Sequence, residues 1–410
     1  MTASRSLLIH FVRFGPYHLA RLRSAQDVLG PLGWRVRGLQ ICATDATYAW
    51  DESDSLGDHE DDDFVTLFPD GHYENFSSGQ LRTEVSERLN AEQPDAIAIA
   101  GWGSVDARAC LEWASKNTCK TILMSETRAI DGERVWWKEK LKRRLLRRFD
   151  TALVGAQSHA DYLTTLGVRR DRITFGYNTV DNEYFERRVG ELRAARDRGT
   201  PPFFLASNRF VPVKNLVAAV DAYAGYRASG GEWELCLLGD GPLKAQIVER
   251  TRLLGLQVVE GAPWETKPEV TLKQLSKGDE RKPIVFLPGF RQIDQLPEFY
   301  AAASAFFHPA IREPWGLVIN EAMASGLPIV ASLNGGAVEE LVDDGINGFT
   351  FDAIELRSME AAMSRVSELS AQERKQLGRE SQRILNDRMP TGAFGEGLRR
   401  ALQITCETNC

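Results

Sequence analysis

The sequence predicts an α/β protein made of two doubly wound units in tandem, with a cleft between them. Three observations predict this. Short apolar, β-rich runs alternate with longer amphipathic stretches from end to end, as in parallel sheets covered on both faces. The alternation breaks once near the middle and then restarts. The length, 410 residues, suits two or three domains at about 150 residues each.

The elements follow in order. The N-terminal SLLIHFV is too short for the core of a signal peptide and is followed by Arg13, so it reads as a first strand, Leu7–Val12. Further strands are expected at Trp34–Ile41, Phe64–Phe68, Ala96–Ala100, Thr121–Ser125, Thr151–Val154 and Ile173–Tyr177, with helices filling most gaps. Residues 181–202 carry many charges and then Gly199 and a Pro pair, which reads as a linker. Strands then resume at Phe203–Ala206, Glu234–Leu238, Ile284–Leu287, Ala305–His308 and Pro328–Ala331. Helices are expected from about Leu216, Leu243, Asp294 and Leu317. The resulting assignment is an N-terminal domain over 1–185, a linker over 186–202 and a C-terminal domain over 203–390. Residues 391–410 read as a helix able to dock on either unit, the N-terminal one in this assignment.

Two segments fall outside the βα rhythm. Residues 51–63 hold eight acids in thirteen positions, including Asp61 and Asp63 in a D-x-D. Such a pair can hold a divalent metal, but a solvated acidic loop is the reading adopted. Residues 256–282 are polar and read as a loop insertion.

Composition narrows the function. The chain is 43% hydrophobic and 26% charged, so it can bury sizeable cores. A net charge of −7 argues against a general polyanion binder, and no nucleic-acid partner is expected. The six cysteines form no C-x-x-C pair, which suggests neither a disulfide framework nor a zinc ribbon and points to a reducing cytoplasm. No apolar run is long enough for a transmembrane helix. No G-x-G-x-x-G follows the first strand, so a nicotinamide dehydrogenase is disfavoured.

The informative stretch is HPAIREPWGLVINEAMASGLPIVASLNGGAVEE, residues 308–340. A strand ends at His308, a loop runs to Pro314–Gly316, and a helix begins near Leu317. Glu313 precedes that helix and Glu321 lies about one turn inside it. Free backbone N–H groups and the positive end of the helix dipole make such a terminus a seat for phosphate or sugar hydroxyls, and the two acids can face one ligand.

The E-x7-E pattern, the following A-x-A-S-G-x-P-I-V-A-S and the Gly335–Gly336 loop resemble the C-terminal domain of retaining glycosyltransferases of family 4, which have the GT-B fold of two Rossmann-like domains facing each other across a cleft. Upstream, SNRFVPVKNL resembles that family's Arg-x4-Lys loop, here Arg209 and Lys214. LLGDGP at 237–242 resembles its second βα turn. FLPGF at 286–290, followed by QLPEFYAAASAFFHPA, resembles its third, and NTVDNEYF at 178–185 its segment before the linker. The resemblance spans about 150–390; the first half shares only the βα rhythm.

The resemblance implies transfer of a sugar, with retention, from a nucleotide-diphosphate sugar to a glycan, lipid-linked or small-molecule acceptor in glycoconjugate biosynthesis. Arg209 and Lys214 would hold the donor diphosphate, and Glu313 the hydroxyls of the transferred sugar. Backbone N–H groups of Trp315, Gly316 and Leu317 would support the sugar and distal phosphate, and Glu321 would accept from ribose. Gly239, Gly241, Gly289 and Phe290 would bring backbone close to the nucleoside. Neither a side-chain base nor a metal is demanded, so no cofactor is expected. Where many members carry an N-domain histidine this chain has MSETR, residues 124–128, which makes Glu126, ahead of Ser125, the candidate to orient acceptor or sugar. The first loop, FGPYHL, has a single glycine, Gly15, with His18 as a further acceptor-side candidate. The alternatives are an epimerase or phosphorylase on the same fold, a non-catalytic sugar-nucleotide-binding subunit, and, from the D-x-D alone, a metal-dependent transferase of another fold.

Residues 134–148, RVWWKEKLKRRLLRR, hold eight basic residues and one acid, Glu139. On a helix Trp137, Leu141 and Leu145 form a stripe. Two readings stay open: a stripe packed on the sheet with solvated cations, or an anionic membrane surface at the cytoplasmic face, with Trp136 at the interface.

Overall fold

The computed structural model describes residues 5–44, 63–195, 200–265 and 282–407. Asp61 and most of the acidic segment, and 266–281 of the insertion, lie outside these. The chain divides into two compact units, Met1–Asp181 with Met389–Cys410, and Asn182–Arg388.

The first unit is a seven-stranded parallel sheet in the order β3-β2-β1-β4-β5-β6-β7. Its strands are β1 (Arg5–Phe11), β2 (Trp34–Thr44), β3 (Phe64–His72), β4 (Ala96–Ala100), β5 (Lys120–Ser125), β6 (Thr151–Val154) and β7 (Ile173–Phe175). Continuous apolar runs such as AIAIA in β4 suit strands buried on both faces. One face packs Leu8, Ile97, Ile99 and Leu123. The other packs Leu7, Ile9, Ala98 and Ile122. The covering helices are α1 (Pro16–Leu29), α2 (Ser78–Glu92), α3 (Val105–Ala114), α4 (Trp136–Leu146) and α5 (Gln157–Thr165). The second face is closed by the last helix of the chain, Ala393–Glu407, whose Phe394, Leu398, Ala401 and Leu402 join that core. Gly395 makes its close approach to α1 possible: a Cβ there would lie 2.2 Å from the carbonyl oxygen of Ser24.

The second unit repeats the plan in the order β10-β11-β9-β8-β12-β13-β14. It begins with α6 (Asn182–Ala195), so most of the segment expected as a linker is helix. Its charges occupy the solvated side, while Phe185 and Val189 are buried. There follow β8 (Phe203–Ser207), α7 (Leu216–Ala228), β9 (Glu234–Leu238), α8 (Lys244–Leu253), β10 (Gln257–Val259), β11 (Ile284–Gly289), α9 (Leu296–Ala302), β12 (Ala305–His308), α10 (Leu317–Ala324), β13 (Ile329–Ser332), α11 (Gly336–Leu341), β14 (Gly348–Phe351), α12 (Leu356–Glu368) and α13 (Ala371–Arg388), after which the chain returns to the first unit through α14 (Ala393–Glu407). The segment read as an insertion thus contains the edge strand β10, paired in parallel with β11. β14, an edge strand at the other side, was not expected from its short GFTF run.

In both sheets the strand order reverses beside the first strand, between β1 and β4 and between β8 and β12. Loops leaving adjacent strands there part to opposite faces, which leaves a crevice at the carboxyl ends of the strands.

Candidate active site

In the second unit the reversal brings together the loops that leave β8 and β12. Their backbones join through Ile311 N–H donating to the Val213 carbonyl, 2.9 Å. Lys214, at the end of a 3-10 turn, and Glu313 are 99 residues apart in sequence, and the Lys214 ammonium donates to Glu313 Oε2. Their side chains are only 14% and 12% exposed, so this is no solvent-screened surface pair. The fold of the lysine's loop is set by Asn215, which adopts the left-handed conformation (φ 58°) and ties its side chain to the Ala353 carbonyl at 2.9 Å.

Glu313 is held from three sides. Its N–H donates to the Asn334 carbonyl (3.2 Å), and its carbonyl accepts from Gly336 N–H (3.1 Å), stitching the loop to the Gly335–Gly336 turn. Ala337 N–H donates to the Trp315 carbonyl, 3.0 Å. A Cβ on Gly336 would stand 2.2 Å from the Pro314 carbonyl oxygen, which explains the glycine. Burial pushes the Glu313 carboxyl up, but His308 and Lys214 outweigh it and hold it at about 2. His308 Nε2 lies 3.2 Å from Glu313 Oε2; sequence reading had assigned this histidine nothing beyond the end of a strand. Its ring is held neutral by burial, with Lys214 acting in the same direction.

Gly316 caps α10 with φ 102°, a conformation that favours glycine. Trp315 is buried, and its Nε1 donates to Asn320 Oδ1 at 2.9 Å, so the indole is a packing element of the turn. Glu321 is fully buried and accepts from the Tyr300 hydroxyl at 2.6 Å. Arg209 is exposed on the loop after β8.

Gly239 and Gly241 have φ of 131° and 152°. The space where a side chain would stand is taken by this chain: a Cβ on Gly239 would lie 1.9 Å from the Asn208 carbonyl oxygen, and one on Gly241 would lie 2.8 Å from that of Phe210. These glycines let the loops after β8 and β9 pack together, a reason for glycine that stands beside the expected approach of a nucleoside. Gly289 (φ 83°) has open space around its Cβ position, and its carbonyl accepts from Gly239 N–H at 3.0 Å. Phe290 beside it is 39% exposed.

In the first unit, Glu126 is exposed just past β5 and accepts from Asn178 Nδ2 at 2.7 Å, while Ser125 is buried and closes a local turn to Thr127. Gly15 and His18 form the N-terminal cap of α1, with Gly15 N–H donating to His18 Nδ1 at 3.2 Å. The imidazole lies 4.1 Å from the Phe11 ring centroid, and loss of hydration, helped by Arg21, holds its protonation point at about 3. An imidazole so placed stays neutral, and the ring is engaged by the cap at Nδ1 and by a hydrogen bond to the Arg13 backbone.

The sequence also did not signal a buried group at the end of β1. His10 Nε2 lies 2.8 Å from Asp106 Oδ2, and the Tyr73 hydroxyl donates to Asp106 Oδ1 at 2.5 Å. Burial raises the Asp106 carboxyl, but His10 and Tyr73 bring it down to about 2. With only 0–1% exposure at His10 and Asp106, it ties β1 to α3.

Of the stripe of α4, Leu145 is partly buried and packs against the core of the first unit, as one reading expected, whereas Trp137 and Leu141 do not. Trp136, Trp137 and Leu141 are 77%, 48% and 60% exposed, and Leu146 is the buried residue of the helix. Lys142 is engaged with Glu139 and Tyr162, whereas Lys138, Lys140, Arg143, Arg144 and Arg147 face solvent. Among the described residues no helix is long and apolar enough to cross a membrane.

Residues 191–383 match the family described as glycosyl transferases group 1. The putative colanic acid biosynthesis glycosyltransferase WcaL of Salmonella typhimurium is 23% identical over 231 residues, 55% of this chain and 49% of that protein, so the chain spans about half the length of this curated relative. A probable sucrose-phosphate synthase 2 of Arabidopsis thaliana is 32% identical over 153 residues, 35% of this chain and 13% of that protein. Among solved structures, Anabaena HepE in complex with UDP and glucose superposes with a TM-score of 0.69 at 19% identity, covering 97% of this chain and 99% of that one. The likeness shows the fold, GT-B.

Proposed function

We propose that this chain, whose residues 191–383 form a group 1 glycosyltransferase domain on the GT-B fold, moves a sugar from a nucleotide-diphosphate sugar to an acceptor in glycoconjugate biosynthesis, with retention and without a metal. The observation that carries the reading is the meeting of Lys214 and Glu313 at the carboxyl ends of β8 and β12. A cation for a diphosphate and an acceptor for sugar hydroxyls stand side by side there, at the crevice where doubly wound sheets take their ligands.

The residues act as follows. Arg209 and Lys214 hold the diphosphate. As the bond from the anomeric carbon to the phosphate oxygen breaks, negative charge grows on the β-phosphate, and these cations with the N–H groups of Trp315, Gly316 and Leu317 at the start of α10 stabilise it. Glu313 accepts from the transferred sugar, whose ring turns oxocarbenium-like. The acceptor attacks from the face that the phosphate leaves, and its proton passes to that phosphate. Glu321 serves the ribose; with Oε2 already accepting from Tyr300, the contact requires sharing the carboxylate. Gly239, Gly241, Gly289 and Phe290 flank the nucleoside, while Gly15, His18 and Glu126 lie on the acceptor side. The binding of UDP and glucose by HepE supports a nucleotide-sugar donor.

The acceptor is presented at an anionic bilayer, in the cytoplasm. The exposed Trp136, Trp137 and Leu141 beside Lys138, Lys140, Arg143 and Arg144, four exposed cations of α4, support this, since side chains in the core would be covered.

The test is a screen of nucleotide sugars for nucleoside diphosphate release with and without acceptors, in EDTA, with NMR of the product anomer. Turnover to a glycoside of unchanged anomeric configuration is expected. An inverted product, or an absolute requirement for Mn²⁺, refutes the mechanism. Donor consumption without transfer to any acceptor points instead to an epimerase or phosphorylase.

A further inference from the structure

His308 is the last residue of β12 and is fully buried. Its ring lies parallel to that of Phe306, two residues earlier on the same face, with centroids 6.3 Å apart and planes at 13°. That packing fixes the imidazole with Nε2 3.2 Å from Glu313 Oε2. Nδ1 is buried and has no hydrogen-bond partner among the described residues.

The proton can be located by elimination. An ionised Glu313 only accepts, so the contact requires the hydrogen on Nε2. The charged groups facing the ring are Glu313 and Lys214. Burial and the lysine oppose a second proton, so Nδ1 is bare. The imidazole is therefore a neutral, rigid donor.

The division of labour on the carboxylate is uneven. Both Lys214 and His308 point at Oε2. Among the described residues no hydrogen bond reaches Oε1. Gly316 leaves room for this side chain: a Cβ there would lie 3.1 Å from Glu313 Cγ. A carboxylate gripped by one oxygen presents the other.

We propose that His308 is a positioning residue for sugar transfer: its Nε2–H holds Oε2 of Glu313 so that Oε1 stays directed at a hydroxyl of the transferred sugar, and it keeps the carboxylate in place when the donor diphosphate draws Lys214 away. The inference rests on the reading of Glu313 as the sugar contact. Lysine cannot do this work alone, because a flexible ammonium serving two anions leaves the carboxylate whenever it goes to the phosphate. A histidine locked in the strand has no competing partner.

The test compares His308→Phe, which keeps volume and stacking but not the donor, with His308→Gln, whose amide restores an N–H near Nε2, and with Glu313→Gln. UDP-glucose and GDP-mannose serve as donors, and UDP and GDP as binding probes. His308→Phe is expected to lower kcat at least tenfold, to leave diphosphate affinity within about twofold of wild type, and to move the acid limb of kcat to higher pH. His308→Gln is expected to recover most of the loss. Wild-type kcat and acid limb in His308→Phe overturn the proposal, as does equal damage in both histidine variants, which would make the role one of packing. If Glu313→Gln also turns over like wild type, the reading of Glu313 falls; if Glu313→Gln alone is damaged, only the role of His308 falls. Long-range ¹H–¹⁵N spectra of the unmodified protein give a readout independent of turnover: a ring protonated on Nε2 and bare on Nδ1 is expected, and the opposite tautomer or a doubly protonated ring at neutral pH overturns the proposal.

Discussion

Replacing Lys214 with Met tests the site most directly, because it removes one charge and little volume. In the folded chain the ammonium and the Glu313 carboxylate are 14% and 12% exposed, so water cannot replace the lost partner freely. Removing one member of a buried pair costs about 3–5 kcal/mol when the other is left uncompensated. Here His308 still donates to the same oxygen, which brings the expected loss nearer the worth of one charged hydrogen bond, about 1.5–3 kcal/mol. Changing Glu313 to Gln in the same background removes the stranded charge, so Lys214→Met should cost less in Glu313→Gln than in wild type, with a coupling of at least about 1 kcal/mol. The pH dependence carries a sign. Glu313 protonates at about 2 in the folded chain, below its unfolded value, so its contribution is present above the unfolded value and is lost as pH falls toward 2. Without Lys214 the folded value rises, and acid unfolding begins at higher pH. Urea unfolding at several pH values measures both effects, and calorimetry with UDP and GDP measures the ligand side, where a loss of at least about tenfold is expected for a charge-assisted contact. A cost of Lys214→Met that is identical with and without Glu313, together with unchanged diphosphate affinity, refutes the reasoning.

Tyr300→Phe removes the 2.6 Å donor to the fully buried Glu321; urea unfolding should show a loss of about 1–3 kcal/mol, and unchanged stability would mean another group already satisfies that oxygen. Gly239→Ala places a Cβ 1.9 Å from the Asn208 carbonyl oxygen at φ 131°; it should lower the melting temperature and weaken UDP or GDP binding together, whereas a neutral outcome would show that the loops after β8 and β9 can part freely. The double change of Trp136 and Trp137 to Ser should leave thermal stability unaltered, since both rings are exposed, while reducing salt-sensitive sedimentation with anionic liposomes; absence of such sedimentation in the wild type refutes membrane docking.

The sequence by itself determined the repeated βα plan, the position of the second sheet and the short loop that carries Glu313 into α10. Those are local matters. Apolar runs of four to six residues form buried parallel strands, and a glycine before an apolar helical run marks its start. It misread 186–195, because charge density looks the same in a linker and on the wet side of a helix whose Phe185 and Val189 are buried. It left both readings of α4 open, because a stripe at helical spacing does not say whether anything covers it. Tertiary structure alone decided that Lys214 meets Glu313 across 99 residues, that His308 turns its Nε2 to the same oxygen, and that Gly239 and Gly241 yield space to Asn208 and Phe210 rather than only to a ligand. The reason is physical. Hydrophobic period is written along the chain, but which loops lie side by side is fixed by strand order, and strand order is fixed when the two apolar faces of each sheet are buried under its own helices.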